Sequence, residues 1–325
     1  MRFLLSLFVS FLVTTTASMS FADPLPSWNA GDTKSAIISF VESVTDPASD
    51  SYVTPADRIA VFDNDGTLWA EQPIYFQIAF AVDQAKKMDP ADLTSDALKA
   101  AAAGDVEGML ATGKSGLLEI LAASHTGMSV TDFKASVEAW LKEARHPDTG
   151  RPYDQMIYQP MLELLRYLRD EGFATYIVSG GGIDFIRVLS PDAYGIPPKQ
   201  VVGSSLVSEY IVAEGAPMLM KSPELFFNDD KAGKPVAINH HIGQRPIFAG
   251  GNSDGDFEML EWTTSGDGPA FALYVHHTDA DREYAYDREG HIGVLNRGLD
   301  EGPERGWVFA DMAKDWAVIF PAQAQ

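Results

Sequence analysis

Two carboxylates stand two residues apart at Asp63 and Asp65, inside the run Val-Phe-Asp-Asn-Asp-Gly-Thr-Leu-Trp at 61–69. An apolar, strand-like stretch at 59–62 leads into them. A strand alternates its side chains, so both carboxylates leave it on one face. Carboxylates crowded in this way repel each other unless a cation or a shared proton neutralises them. Hard oxygen ligands of this kind suit Mg2+, which also accepts phosphate as a partner. The same residues make good turn chemistry, because Asp and Asn bond their own backbone and Gly accepts positive φ. A calcium loop fits less well: the twelfth position counted from Asp63 is Ile74 rather than Glu, and a β-like run precedes it.

A second strand-like run, 173–179, ends in a hydroxyl at Ser179. Gly180, Gly181 and Gly182 follow, and 183–189 has helical spacing. Strand, hydroxyl, glycines and helix start together make an anion cradle, with amides pointing outward and the helix dipole favouring negative charge. The plainer reading is an ordinary strand-to-helix loop.

The segment around Asp63 and Asp65 resembles the first motif of the haloacid dehalogenase superfamily, in its two-aspartate phosphatase form. The resemblance implies three more motifs. Ser179 matches the second. The third is a lysine, for which Lys234 in Gly-Lys-Pro-Val is the choice, with Lys231 and Lys221 as alternatives. The fourth follows the apolar run 246–251. There Asn252 stands where the usual pattern has its first Asp, and Asp256 matches the second. An amide oxygen still ligates metal. The change lowers the local negative charge, and leaves open whether Asn252, Asp254 or Asp256 is the direct ligand.

By this resemblance the fold is α/β, a doubly wound and mostly parallel sheet with an inserted all-α cap. The implied activity is Mg2+-dependent hydrolysis of a small phosphate monoester. Asp63 is the nucleophile, Asp65 the general acid and base, and Lys234 the charge stabiliser. Thr67, Ser179, Gly180 and Gly181 bind phosphate, and Mg2+ is held by Asp63, the Asp65 backbone carbonyl, and Asn252 or Asp256. Halide leaves without a proton, so Asp65 argues against dehalogenation. A phosphotransferase and a non-catalytic periplasmic binder of phosphorylated ligands are the alternative readings. Trp69, Glu71, Tyr75, Arg145, His146 and Arg151 lie near the cap junctions, where they could face substrate or simply pack and be solvated. Arg187 is a further source of positive charge. The pairs His240-His241 and His276-His277 are not read as metal sites, since neighbours on a strand point to opposite faces.

The elements that must position these residues are legible along the chain. Met1-Arg2, an apolar stretch of 11 residues and Ser20-Phe21-Ala22 fit a secretory signal peptide at 1–22. The stretch is shorter than the roughly 20 residues a membrane span needs, so the mature chain is expected to be exported, to a periplasm, without a span. Residues 23–57 form a lead-in with one helix at 33–44. Core segments at 58–73 and 159–325 flank a helical cap at 74–158, with helices expected at 74–88, 91–103, 115–124 and 130–143. A helix at 159–171 stops at Gly172. A hairpin-like excursion is expected at 201–212 and 217–221, and a strand at 270–275. Alternating strands and helices imply a parallel sheet whose ligands bind beyond the strands' carboxyl ends. The chain has no cysteine, which a core of this size does not need. A net charge of −22 disfavours nucleic acid as a partner. It also means that an anionic substrate must find local positive charge.

Overall fold

The computed structural model describes residues 23–322, so the leader expected at 1–22 lies outside the described residues. Helix α1 (Asp32–Thr45) buries Thr33, Ile37, Val41 and Val44, the single stripe of an amphipathic helix. Strand β1 (Ile59–Phe62) is buried along its whole length. A parallel strand covered on both faces must be apolar throughout. Its alternation shows in the packing: Ala60 and Phe62 join one core cluster, Ile59 and Val61 the other.

Between Pro73 and Tyr158 every regular element is helical: α2 (Phe76–Ala85), α3 (Asp96–Ala103), α4 (Val106–Ala111), α5 (Gly113–His125) and α6 (Val130–Glu143), with short 3-10 turns. The helix expected at 91–103 starts later. Pro90 opens a separate 3-10 turn, and α3 begins at Ser95, whose Oγ accepts from the Leu98 amide at 3.1 Å. Helix α4, capped by Asp105, went unread because six residues are too few for periodicity to register. The insertion has its own core, in which Ile78 and Val82 meet Leu98, Met109 and Ile120.

Helix α7 (Gln159–Asp170) buries Met161, Leu164, Leu165 and Leu168, and Gly172 ends it at φ +81°. Strand β2 (Ala174–Gly182) and helix α8 (Ile183–Tyr194) come next. Strands β3 (Val201–Ala213) and β4 (Ala216–Phe227) then form an antiparallel hairpin. It is longer than the excursion expected, because Pro217 and Pro223 look like breakers. At a sheet edge, where β4 lies, proline is tolerated. The hairpin leans on the insertion: the Lys221 amide donates to Met128 O at 2.9 Å.

The chain continues through α9 (Gly233–His241), β5 (Phe248–Gly251), α10 (Phe257–Thr264), β6 (Phe271–Thr278), β7 (Ala285–Tyr286), α11 (Arg297–Glu301) and β8 (Val308–Asp311). The sheet runs β4-β3-β2-β1-β5-β6-β7, with β8 also paired to β6. The pairs β3–β2, β2–β1, β1–β5, β5–β6 and β6–β8 are parallel. Phe62 is level with Ile177 on one side and Gly250 on the other. Asp63, Ser179 and Asn252 therefore leave the sheet at one edge, the carboxyl ends of its central strands. Among the described residues, no helix is long and apolar enough to cross a membrane.

Candidate active site

The loop after β1 is wound tightly enough to aim two carboxylates at one place. The Asp63 amide donates to Gly250 O at 2.9 Å, prolonging the ladder by one residue. Asn64 O then accepts from the Leu68 amide at 2.8 Å, and the Gly66 amide donates to Trp69 O at 2.8 Å. Gly66 has φ +74°, and a Cβ there would sit 2.1 Å from Asn252 Nδ2 and 2.4 Å from Glu71 Oε1. Only glycine fits the turn. His277 Nε2 lies 2.8 Å from Gly66 O and holds it from behind.

Lys234 joins the motifs. Its Nζ donates to Asp63 Oδ1 at 2.6 Å, Asp256 Oδ1 at 2.6 Å and Val178 O at 2.9 Å. An ammonium has three donors, and all are used. Burial alone would favour a neutral amine, but the charges of Asp256 and Asp63 outweigh it and keep Lys234 protonated well above the usual range. Lys234 faces inward because it shares a helix face with the buried Ala237 and Ile238. Lys231 is exposed, so of the three lysines it is the one placed outside the site.

Asp65 Oδ1 accepts from Trp69 Nε1 at 2.8 Å. Burial pushes the Asp65 carboxyl up to about 6, against the opposing pull of that bond and of Lys234. Asp63 is also raised, first by burial and then by the charge of Asp256, with Lys234 opposing. Burial raises Glu71 as well; its Oε1 accepts from Asn252 Nδ2 at 2.7 Å and Tyr286 Oη at 2.8 Å.

A cavity of about 510 Å3 opens above these groups. Asp63, Asp65, Glu71, Ser179, the three glycines, Lys234, Ser253 and Asp256 form its floor. Ser179 Oγ accepts from the Gly181 amide at 3.1 Å, and the Gly182 amide donates to Gln77 Oε1 at 2.7 Å. Gln77, on α2, brings the insertion onto the glycines, which the structure places in an irregular end of β2 rather than in a loop after Ser179. Its Nε2 is buried without a partner. Nothing local in the sequence marks this residue, since its role depends on how the insertion folds back.

Several expected residues are placed differently. Thr67 and Asn252 lie behind the floor, where Thr67 Oγ1 donates to Asn252 Oδ1 at 3.1 Å. Thr67 thus faces the loop rather than a phosphate position. Asp256 Oδ2 accepts from the amides of Asn252 at 2.9 Å and Ser253 at 3.0 Å. With its Oδ1 on Lys234, both oxygens are engaged. Asp254 lies outside the site and accepts from the amides of Asn296, Arg297 and Gly298. Arg187 donates to Pro198 O and Val201 O, Arg145 to Lys142 O and Ala144 O, and Arg151 to Pro321 O. His146 Nε2 lies 2.8 Å from Gln72 O. None of these four lines the cavity, whereas Tyr75 and Glu71 do. His240 and His241 are exposed on a helix rather than a strand. His276 and His277 meet different carboxylates, Asp287 and Glu283.

The floor's chemistry fits Mg2+. Four buried carboxyls, Asp63, Asp65, Glu71 and Asp256, border one cavity, and Lys234 beside them has no donor left. A divalent cation offsets such an excess. Among the described residues no preformed group of three or more His, Cys, Asp or Glu side chains surrounds one point. Asp63, through its carboxylate, and Asp65, through its backbone carbonyl, are the residues that would hold the ion. Asn252 Oδ1 accepts from the Thr67 hydroxyl and has a second lone pair left for a ligand.

The family model for haloacid dehalogenase-like hydrolases matches residues 60–261, and the chain belongs to that family. Among solved structures, a conserved protein of unknown function from Anaerococcus prevotii is 18% identical, with 80% of this chain and 89% of that one covered and a TM-score of 0.53. A protein of unknown function from Bordetella pertussis is 16% identical, covering 78% and 98%, with a TM-score of 0.51. A phosphoserine phosphohydrolase-like protein from Francisella tularensis overlaps more loosely, at 18% identity, 67% and 87% coverage and a TM-score of 0.37. No curated protein matches the sequence significantly.

Proposed function

We propose that this protein hydrolyses a phosphate monoester through an aspartyl-phosphate on Asp63. The observation that carries the reading is the pairing of Asp63 and Asp65 on one cavity floor, with a protonated Lys234 fixed on Asp63. An Asp63 carboxylate oxygen attacks phosphorus as the bond to the ester oxygen breaks. Asp65, raised to about 6, is suited to give its proton to the leaving oxygen near neutral pH. Its carboxylate then takes a proton from water, which attacks the same phosphorus, frees phosphate and restores Asp63. Trp69 holds one Asp65 oxygen, so the other serves the substrate. Ser179 uses its lone pair for the Gly181 amide, which leaves its O–H for a phosphate oxygen. Lys234 neutralises charge as it develops on the phosphoryl group. Bound Mg2+, held by the Asp63 carboxylate and the Asp65 backbone carbonyl, would supply further charge neutralisation and alignment.

The α2–α6 insertion serves in this reading as a cap that shields the reacting groups from bulk water. Export rests on the N-terminal sequence, and a mature chain recovered from the periplasmic fraction should begin at Asp23. The decisive assay is phosphate release from a panel of monoesters with Mg2+. Asp63→Asn should lower kcat at least about a thousandfold while thermal unfolding stays cooperative. A variant as active as the wild type removes the nucleophile and the mechanism with it. Acceleration by added alcohols, with phosphate carried onto the alcohol, would make the protein a phosphotransferase.

A further inference from the structure

The cavity has two halves of opposite character. Above the polar floor, Ile78 of α2, Leu117, Leu118 and Leu121 of α5, and Leu206 and Leu225 of the hairpin form its roof. Leu117 and Leu121 are four residues apart and share a helix face. Leu206 and Leu225 are direct cross-strand partners, so they project to one side of the hairpin. Leu118 and Leu225 stay 39% and 43% exposed. A folded chain covers its leucines where it can, and apolar surface kept open on a cavity marks a ligand contact.

Two basic side chains near the roof are already engaged. Lys221 is paired with the Asp184 carboxylate and lies 5.7 Å above the Phe133 ring. His125 stacks on Phe133 at 3.9 Å with its Nδ1 2.7 Å from Leu121 O. Lys234 is held on the floor. A charged ester group would compete with the Lys221–Asp184 pair or rely on the neutral amides and hydroxyls of Gln77, Ser204, Ser205 and Asn228 lower in the cavity.

We infer that the substrate's organic group is apolar and at least as large as an aromatic ring: the enzyme is built for aryl or medium-chain alkyl phosphates, with Leu118 and Leu225 as specificity residues. This rests on the reading of the floor as a phosphate site. The cavity volume is in the range that holds a whole small ligand, well beyond a phosphate alone. One ligand can then span it, phosphate down and hydrocarbon up. In the roof, a zwitterionic ester such as phosphoserine would set charge against leucine, where burial without partners is unfavourable.

The test compares kcat/KM for 1-naphthyl phosphate, hexyl phosphate, glycerol 3-phosphate and phosphoserine with Mg2+. Calorimetric binding of non-hydrolysable 1-naphthylphosphonate runs beside it. Naphthyl and hexyl phosphate should exceed the two polar esters about a hundredfold, since each buried methylene is worth roughly tenfold or more. Leu118→Gln and Leu225→Gln change partly exposed side chains and leave no void in the core. Each should reduce the naphthyl-to-glycerol preference about tenfold through KM, and weaken the phosphonate similarly. If phosphoserine or glycerol phosphate is preferred, or neither variant moves the ratio, the inference falls while the hydrolase reading stands. If no ester is turned over but the phosphonate binds and responds to both variants, the apolar site stands and the hydrolase reading falls. If there is neither turnover nor binding, both fall.

Discussion

Asp229 offers a sharp test of the electrostatics around the site. It follows β4, and its amide donates to Ser204 Oγ at 2.9 Å. Its carboxyl is fully buried, and neither oxygen has a hydrogen-bond partner. Burial pushes it up to about 7 from an ordinary 3.8; the Lys234 charge opposes the shift and Asp230 adds to it. The folded protein therefore keeps this proton between the two values while the unfolded chain loses it. Stability falls as pH rises through that window and levels off above about 7. The gap corresponds to as much as about 4 kcal/mol above the window. Asparagine at 229 is neutral at every pH and nearly the same size. Asp229→Asn should then be more stable than the wild type at pH 8 by up to about 4 kcal/mol, and its advantage should grow by about 3 kcal/mol between pH 5 and pH 8. Urea midpoints at both pH values, with unchanged m values, measure this directly. The comparison of two chains cancels the other raised carboxyls, Asp63, Asp65 and Glu71 among them. An advantage that is the same at both pH values, or absent, would show that Asp229 ionises freely and that its surroundings admit water.

Two further substitutions probe the floor. Asn252→Asp replaces the amide that donates to Glu71 Oε1 at 2.7 Å with a second carboxylate; without Mg2+ the melting temperature should drop by an amount equivalent to about 2–3 kcal/mol, and millimolar Mg2+ should restore most of it. Equal melting curves with and without the ion would mean that position 252 does not sense the cation. Trp69→Phe removes the N–H bond to Asp65 that favours the charged carboxylate. The Asp65 carboxyl should then rise above about 6, and the alkaline limb of the kcat profile should move to higher pH; an unmoved limb would remove Asp65 as the acid.

The floor was largely legible in the sequence and the roof was not, for physical reasons. A parallel strand buried on both faces must be apolar, so Ile59–Phe62 and the stretch leading to Ser179 announce themselves where polar residues interrupt them. The choice among Lys221, Lys231 and Lys234 needed helix phase: Lys234, Ala237 and Ile238 lie on one buried face of α9. That spacing was available in the sequence, but it shows only once the helix start at Gly233 is known. The partners Leu206 and Leu225 are 19 residues apart, and register shifts fall between Leu206 and Ser208. Irregular pairing erases the period of two on which strand recognition depends. Gln77 reads as an ordinary polar helix residue until α2 is laid over the glycines.

The departure at position 252 also has a structural logic. In this site the fourth-motif loop orients the lysine: Asp256 binds the amides of Asn252 and Ser253 with one oxygen and Lys234 with the other. Lys234 in turn fixes Asp63. A chain of contacts thus runs from the loop backbone to Asp63 without using the side chain at 252. That side chain is free to do something else, and it ties Thr67 to Glu71 through its two amide ends. A carboxylate there could accept from Thr67 but would repel Glu71, and Glu71 borders the cavity while Asn252 does not. The amide therefore allows a buried acid at position 71, so the acidic group that the family pattern places on the fourth motif is found here at the entrance to the insertion.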